Sequence, residues 1–256
     1  MPADYSSLEP GRTELRDRLI ASEREYLGLE FHDAPPEHPW HSHLGGTPYL
    51  LDGVSYPHDA TGRPMTFVIQ LNFAELPPLA GYPDAGLLQF FVGDDDTFGC
   101  EYGHAPDRFH VAYHPHIDTS WEPRTPLPPI DAYCSPFDDA DTAARQITAT
   151  LDRMPVSSRD RRFSGLVGES DFDTGELDDD NDHRIGGYPR FTQYDELREP
   201  DKDLLLLQLG EYAIDDGRWV STVLSWGDGG VAHFSITAAD LAARDFSRVQ
   251  YYWEGG

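Results

Sequence analysis

Apolar residues occur in short runs along this chain, and most of these runs have the length and composition of β-strands. They are rich in β-branched and aromatic residues, and Pro, Gly and Asp separate them as turn residues do. The predicted strands are Thr66 to Phe73, Gly86 to Val92, Asp107 to Tyr113, Leu204 to Leu209, Trp219 to Leu224, Val231 to Ile236 and Val249 to Trp253. This pattern predicts a mainly β protein of the α+β class.

Three segments show helical spacing instead. From about Thr13 to Leu29, Leu and Ile recur at helical intervals among Arg and Glu, which predicts an amphipathic helix. Asp141 to Leu151 has a similar pattern and follows aspartates suited to N-capping. A capping box with Asp in place of Glu opens a short helix over Thr237 to Arg244. We expect Glu30 to Pro64, rich in His, Pro and Gly, to be irregular.

Three landmarks recur in the same order along the chain. Residues 44–48 (Leu-Gly-Gly-Thr-Pro) match residues 185–189 (Ile-Gly-Gly-Tyr-Pro). Each motif precedes an apolar strand that ends in Gln-Leu, with Gln70 in the first copy and Gln208 in the second, and a glycine-led strand follows in both. This repetition predicts two related β units, with halves of about 44–135 and 185–256, that pack together in one domain.

The chain from Leu44 onward combines the Gly-Gly-x-Pro motif, the Gln-Leu strand and a Trp-Gly-Asp turn. The matching stretches are Leu44 to Pro48, Phe67 to Asn72, Gly86 to Phe91, Leu204 to Leu209, Trp226 to Val231, Asp240-Leu241 and Asp245-Phe246. This combination resembles the YwqG-like family, a bacterial domain of unknown function. The resemblance implies a duplicated, mainly β domain over 44–256 with a few peripheral helices, and it implies no activity, cofactor or catalytic residue. Residues 1–43 are then an N-terminal helix and an irregular lead-in.

The charge of the chain limits its partners. The 256 residues include 46 Asp and Glu against 19 Lys and Arg, a formal net charge of −27, while a hydrophobic content of 39% is too high for a disordered acidic chain. Such a charge repels phosphate backbones and anionic lipids, so we expect no nucleic-acid and no membrane partner. The densest basic cluster, Arg159, Arg161 and Arg162, lacks interleaved aromatic residues and is predicted to be a solvated loop.

The cysteines and the apolar runs indicate the cellular compartment of the protein. Cys100 and Cys134 are too far apart for a CxxC pair, which favours a reducing environment. The chain starts without a basic and then apolar leader, and its longest aliphatic run, Leu204 to Leu207, is too short to span a bilayer. We therefore predict a cytoplasmic protein.

The sequence contains one candidate metal-binding site. His38, His41 and His43 include an i, i+2 pair, which points two imidazoles to one side of an extended chain. No HExxH helix or Cys/His knuckle accompanies them, so hydrogen-bonding or surface histidines are the better interpretation, and we predict no metal and no cofactor. The acidic stretch Asp171 to Asp182 does not fit the spacing of an EF-hand and is predicted to be an exposed loop.

No motif identifies a catalytic residue. The chain has no G-x-S-x-G elbow, and its one lysine, Lys202, lies between two aspartates that oppose its activation as a nucleophile. The candidate ligand-binding residues are Gln70, Gln208, Trp226 and Asp228. The glutamines hold equivalent places in the two copies and need partners if buried, while the Trp-Gly-Asp turn either caps the core or lines a cleft.

These observations favour a non-catalytic binding or protein-interaction module, regulatory or immunity-like, with a basic protein partner. The strongly acidic surface would attract such a partner and accelerate encounter. The alternative is an enzyme or small-ligand binder that uses a cleft between the two repeats.

Overall fold

A computed structural model describes residues 5, 13–51, 53–100, 107–120, 135–137, 143–167, 182–193, 195–215 and 217–255. The strands in these ranges are β1 (Arg24–His32), β2 (His43–Leu44), β3 (Thr66–Asn72), β4 (Leu87–Val92), β5 (Phe109–His114), β6 (Arg145–Met154), β7 (Arg184–Gly186), β8 (Leu204–Leu209), β9 (Tyr212–Asp215), β10 (Val220–Leu224), β11 (Val231–Ile236) and β12 (Gln250–Glu254). The α-helices are α1 (Thr13–Ser22), α2 (Phe163–Val167) and α3 (Ala238–Ala243), and a 3₁₀ helix spans Phe246–Arg248. The fold is therefore mainly β, as predicted.

Ten strands form one antiparallel sheet in the order β12-β11-β8-β7-β1-β6-β2-β3-β4-β5, and β9 and β10 form a separate hairpin. At its centre, β1 and β6 pair along nine residues, from Arg24 opposite Met154 to His32 opposite Gln146. Outward from β6 the sheet continues with β2, β3, β4 and β5, and outward from β1 it continues with β7, β8, β11 and β12. The two sides thus have the same succession of strands. We call β2 to β5 the first half of the sheet, and β7, β8, β11 and β12 the second half. A common origin of the two halves stays a prediction.

The sheet curls so that its two ends face each other across one apolar core. The rings of Phe90 on β4 and Phe234 on β11 lie 4.9 Å apart, and those of Phe109 on β5 and Tyr251 on β12 lie 5.4 Å apart. These contacts belong to one large buried cluster that draws residues from both halves. The curl therefore brings the edge strand of the second half beside the first half.

Seven of the predicted strands are confirmed as β3, β4, β5, β8, β10, β11 and β12. The predicted short helix after Thr237 is also confirmed, because the Thr237 hydroxyl accepts a hydrogen bond from the Asp240 amide at 3.0 Å and caps α3. Most of Glu30 to Pro64 is irregular, apart from the end of β1 and the two residues of β2. The acidic stretch predicted as an exposed loop lies outside the described residues except for Asp182, and Cys134 lies outside them entirely.

Two helix predictions are wrong where the two central strands lie. The helix predicted from Thr13 to Leu29 ends at Ser22, and β1 begins at Arg24; the segment predicted as a helix over Asp141 to Leu151 contains most of β6. In both segments the apolar side chains alternate, with Leu27, Leu29 and Phe31 in one and Ile147, Ala149 and Leu151 in the other. This period of two fits a strand, and pairing along nine residues outweighs the local preference for a helix. The sheet therefore starts before residue 44.

The helices in the described ranges are short. The longest, α1, has 10 residues, whereas a helix needs about 20 apolar residues to cross a bilayer, and none of the described helices meets that requirement.

The buried histidines predict how stability depends on pH. Burial, assisted by the nearby Arg184 charge, lowers the pKa of His183 from 6.5 to about 4, and burial also lowers the pKa of His43 and His233. Each of these rings is uncharged in the folded protein and gains a proton more readily once unfolded. Their contribution to stability is therefore intact above pH 6.5 and is lost as the pH falls toward the folded-state pKa.

We expect the free energy of unfolding to fall between pH 7 and pH 5, by about 1–2 kcal/mol from His183 alone. Urea unfolding at a series of pH values would measure this. His183→Gln should reduce the slope, whereas the control His116→Gln, at an exposed position, should leave it unchanged. Stability that is flat over this range would contradict the prediction.

Candidate functional site

The two predicted glutamines occupy equivalent places on the outer face of the sheet, opposite the core, and both are fully buried. Gln70 Oε1 accepts a hydrogen bond from the Tyr49 amide at 2.9 Å, and Gln208 Oε1 accepts one from the Arg190 amide at 2.8 Å. Each of these amides comes one residue after the proline of a Gly-Gly-x-Pro motif. Each glutamine therefore holds the chain that leaves its motif against the sheet.

Glycine is required in both motifs. Gly46 has φ of +73°, and a Cβ on it would lie 2.5 Å from the Ala144 Cβ; Gly187 has φ of +67°, and a Cβ on it would lie 2.8 Å from the Met154 sulfur. A side chain at either position would strain the backbone. It would also collide with Met154 at the end of β6 or with Ala144 just before β6. The motifs let the chain turn sharply while touching the strands at the centre of the sheet.

Each half carries a row of buried polar side chains across neighbouring strands of this outer face. The first polar row is His43, Gln70, Gln89 and His114, and the second polar row is Arg184, Gln208, His233 and Glu254. In the first row, the Gln89 amide donates to Gln70 Oε1 at 3.0 Å, and His114 Nε2 lies 3.0 Å from Gln89 Oε1. Gln70, Gln89 and His114 thus satisfy one another, while the His43 ring contacts backbone carbonyls.

The second polar row differs because it ends in a carboxylate. The His233 ring is stacked between Phe191 and Tyr252, and its Nε2 lies 3.6 Å from Glu254 Oε1. Burial lowers the pKa of His233, with Glu254 acting in the opposite direction. Glu254 accepts hydrogen bonds from the amides of Thr192 and Gln193 at 2.6 and 3.3 Å. The end of this row therefore fixes the segment that follows the second motif.

A buried ion cluster supports the same segment. Arg198 pairs with Asp195 and, at 3.1 Å, with Asp160, while Arg161 Nε donates to Asp195 at 2.9 Å and Arg162 Nε to Asp160 at 2.7 Å. Arg159, Arg161 and Arg162 lie in turns, as predicted, and Arg159 and Arg161 are exposed, but Arg161 and Arg162 also bind buried carboxylates. The cluster ties residues 195–199 to residues 160–162. Removing one partner of such a cluster leaves a buried charge without a partner, so the cluster stabilises this segment.

A groove with a volume of about 600 Å³ runs along β12, and we call it the β12 groove. Its floor is residues 250–255, its first wall is residues 96–97, 100 and 108, and its second wall is Gln193, Leu197 and Glu199. The first wall follows β4 in the first half, and the floor and second wall belong to the second half. The groove is thus a cleft between the halves, and the curl of the sheet creates it.

The walls of the β12 groove combine acidic groups with exposed apolar surface. Leu197 is 43% exposed although it is a large hydrophobic side chain. Asp96 is exposed and makes no hydrogen bond within the described residues, and Glu199 adds a second carboxylate. Arg108 brings the opposite charge, but its guanidinium lies 3.4 Å from Asp95. Burial raises the pKa of the Cys100 thiol, which disfavours a reactive thiolate.

The four residues predicted to bind a ligand do not meet in this groove. Trp226 is fully buried in the core, with its ring 5.8 Å from Phe98 and 6.3 Å from Tyr251. Asp228 is exposed on the turn and makes no hydrogen bond in the described part of the chain. The buried glutamines belong to the polar rows. That the four bind a ligand stays a prediction.

The groove residues carried little signal in the sequence because they come from three separate segments. Only the acidic residues and the proximity of the Tyr-Tyr-Trp run to the end of the domain could have drawn attention to them.

The histidine cluster does not converge on one point. His43 points into the protein, with its ring nitrogens 2.9 Å from the His41 carbonyl and 3.1 Å from the Thr47 carbonyl. His38 stacks on Trp40 at 4.7 Å, and His41 Nε2 lies 3.5 Å from Glu75. Within the described ranges, no three His, Cys, Asp or Glu side chains are arranged to hold a metal ion.

The glutamine contacts predict an asymmetry in stability. Gln70 makes four hydrogen bonds, to Tyr49, Gln89, Pro39 and His41, whereas Gln208 makes two. Replacing either with Met keeps the volume but leaves buried groups without partners. We expect Gln70→Met to lower the free energy of unfolding by about 2–4 kcal/mol and Gln208→Met by about 1–2 kcal/mol, measured by urea unfolding. Equal losses, or none, would contradict this account.

Comparisons with known proteins give a family but no activity. A search of curated proteins finds no match. The family model described as a domain of unknown function, DUF1963, matches residues 42–255, which includes every strand of the sheet except β1. The chain therefore belongs to the DUF1963 family.

Proposed function

We propose that this protein is a non-catalytic protein-interaction module that binds a basic partner in the β12 groove. The observation that carries the proposal is the combination, in one groove, of an exposed Leu197 with the carboxylates of Asp96 and Glu199. Protein interfaces combine apolar contacts with polar and charged groups around them, and this groove offers both. The ion cluster holds the second wall in place, which would limit the ordering that accompanies binding.

Electrostatics favour a basic partner at short and at long range. Because Asp95 pairs with Arg108, the groove presents a net negative charge to a ligand. The net charge of −27 would also attract a basic protein from solution and accelerate its encounter. Binding should therefore weaken as the salt concentration rises, since salt screens exposed charges.

The alternative function is an enzyme or small-ligand binder that uses this cleft between the halves. The volume of about 600 Å³ favours it, because small-molecule pockets typically measure roughly 300–1,000 Å³. The groove carries no paired nucleophile and base among its described residues, and Cys100 has a raised pKa. Protein binding is therefore the better-supported function.

The biological setting forms part of the same proposal. The scarcity of cysteine supports a reducing, cytoplasmic location, and the resemblance to the YwqG-like family supports a bacterial source. A regulatory or immunity-like role would fit an acidic module that captures a basic partner.

A photo-crosslinking experiment tests the interaction surface. We expect p-benzoyl-phenylalanine at position 197 to crosslink a basic partner in cells of the source organism. The same group at position 151 should not, although Leu151 on β6 is 42% exposed and so matches Leu197 in accessibility. Excess wild-type protein should compete for the adduct, and Leu197→Lys protein should not. Equal crosslinking at both positions, or none at 197, would contradict the proposal.

Native mass spectrometry separates the two functions. Protein purified without a tag should carry no small molecule if the groove binds a protein partner. A stoichiometric small molecule that is lost in Leu197→Lys but kept in Leu151→Lys would instead support the alternative function.

A further inference from the structure

We propose that the partner segment binds as an added β-strand along the free edge of β12, and that it alternates basic and apolar side chains. This inference rests on the proposed function, because it specifies how the β12 groove would hold its partner. Among the residues that the structure describes, β12 ends the ten-stranded sheet and pairs on one side only, with β11.

The position of the groove is the first argument. Its floor includes every residue from Gln250 to Gly255 in succession. Side chains of a strand alternate between the two faces of a sheet, so a cavity on one face would touch only every second residue. Consecutive residues line one cavity when the cavity lies along the edge of the strand. A ligand in this groove therefore lies where the next strand of the sheet would lie.

The backbone groups at this edge can be identified. The Trp253 backbone hydrogen-bonds the Cys100 thiol, and the Gly255 carbonyl accepts a hydrogen bond from the Thr192 hydroxyl at 2.9 Å, so both residues direct backbone groups away from β11. Alternation along an antiparallel strand places the N–H and C=O of Tyr251 on the same edge. No backbone hydrogen bond in the described ranges joins this edge to another segment. The Tyr251 groups can pair with an extended chain, which would displace the side-chain partners of Trp253 and Gly255.

The two walls determine the side chains of the added strand. Successive side chains of a strand in the groove would point alternately to the first wall and to the second wall. The first wall offers the Asp96 carboxylate to a basic side chain, and the second wall offers Leu197 to an apolar one, with Glu199 nearby. An alternating basic and apolar segment matches both walls, and its charge matches that of the protein.

A synthetic peptide tests this binding mode directly. The probe is the heptapeptide acetyl-Lys-Ile-Lys-Ile-Lys-Ile-Lys-amide, with binding measured by calorimetry at low salt. Two analogues carry N-methyl groups, one on the lysine amides and the other on the isoleucine amides. In an added strand only one of these sets faces β12, so one analogue should bind at least about tenfold more weakly while the other retains its affinity.

Substitutions in the protein test whether the peptide binds in the β12 groove. Leu197→Lys should abolish binding of the heptapeptide, whereas Leu151→Lys, the same change at an equally exposed leucine on β6, should not. Hydrogen exchange of the Tyr251 amide should slow when the peptide is bound. The Tyr252 amide, which faces β11, is the internal control.

Each contrary result has a distinct meaning. If Leu197→Lys abolishes binding but both methylated analogues bind like the parent, strand addition is wrong and the groove remains a binding site. If the heptapeptide fails to bind, or binds equally to Leu197→Lys, the added strand is wrong as proposed. Crosslinking at position 197 then decides the proposed function separately.

Discussion

The architecture depends on the pairing of β1 with β6, which joins the two halves through nine backbone pairs at the centre of the sheet. On their other edges, β1 pairs with β7 and β6 pairs with β2. Because β1 precedes β2 in sequence but lies beside β7, the halves are interlocked by an exchange of strands. The exchange makes one sheet, and its curl makes one core.

The outer face of that sheet is where the halves diverge in chemistry. In both halves a glutamine fixes the chain after a Gly-Gly-x-Pro motif. The first polar row continues with groups that satisfy one another, whereas the second ends at Glu254, which holds the amides of residues 192 and 193. Glu254 and the Arg198 cluster together hold the segment before β8 in place. That segment forms one wall of the β12 groove, so a stabilising network also shapes the site.

The β12 groove is the surface on which we propose that a partner binds. It lies at a free sheet edge, between an acidic wall and a wall with an exposed leucine, on a chain with a net charge of −27. In the proposed binding mode, backbone groups would supply affinity for an extended chain, and the walls would supply selectivity for charge and shape. The corresponding edge strand of the first half, β5, contacts the 3₁₀ helix Phe246–Arg248, so the two edges differ.

Periodicity alone determined most of the strands, because their β-branched and aromatic runs are bounded by turn residues, and the repeated motif showed that Gln70 and Gln208 are equivalent. It failed at β1 and β6, where the apolar residues also fit helical spacing and only pairing across the sheet selects a strand. Tertiary structure alone decided the groove. Its walls and floor come from residues 96–97, 100 and 108, from the segment after the second motif and from residues 250–255. No local pattern encodes a contact that the curl of a ten-stranded sheet brings about.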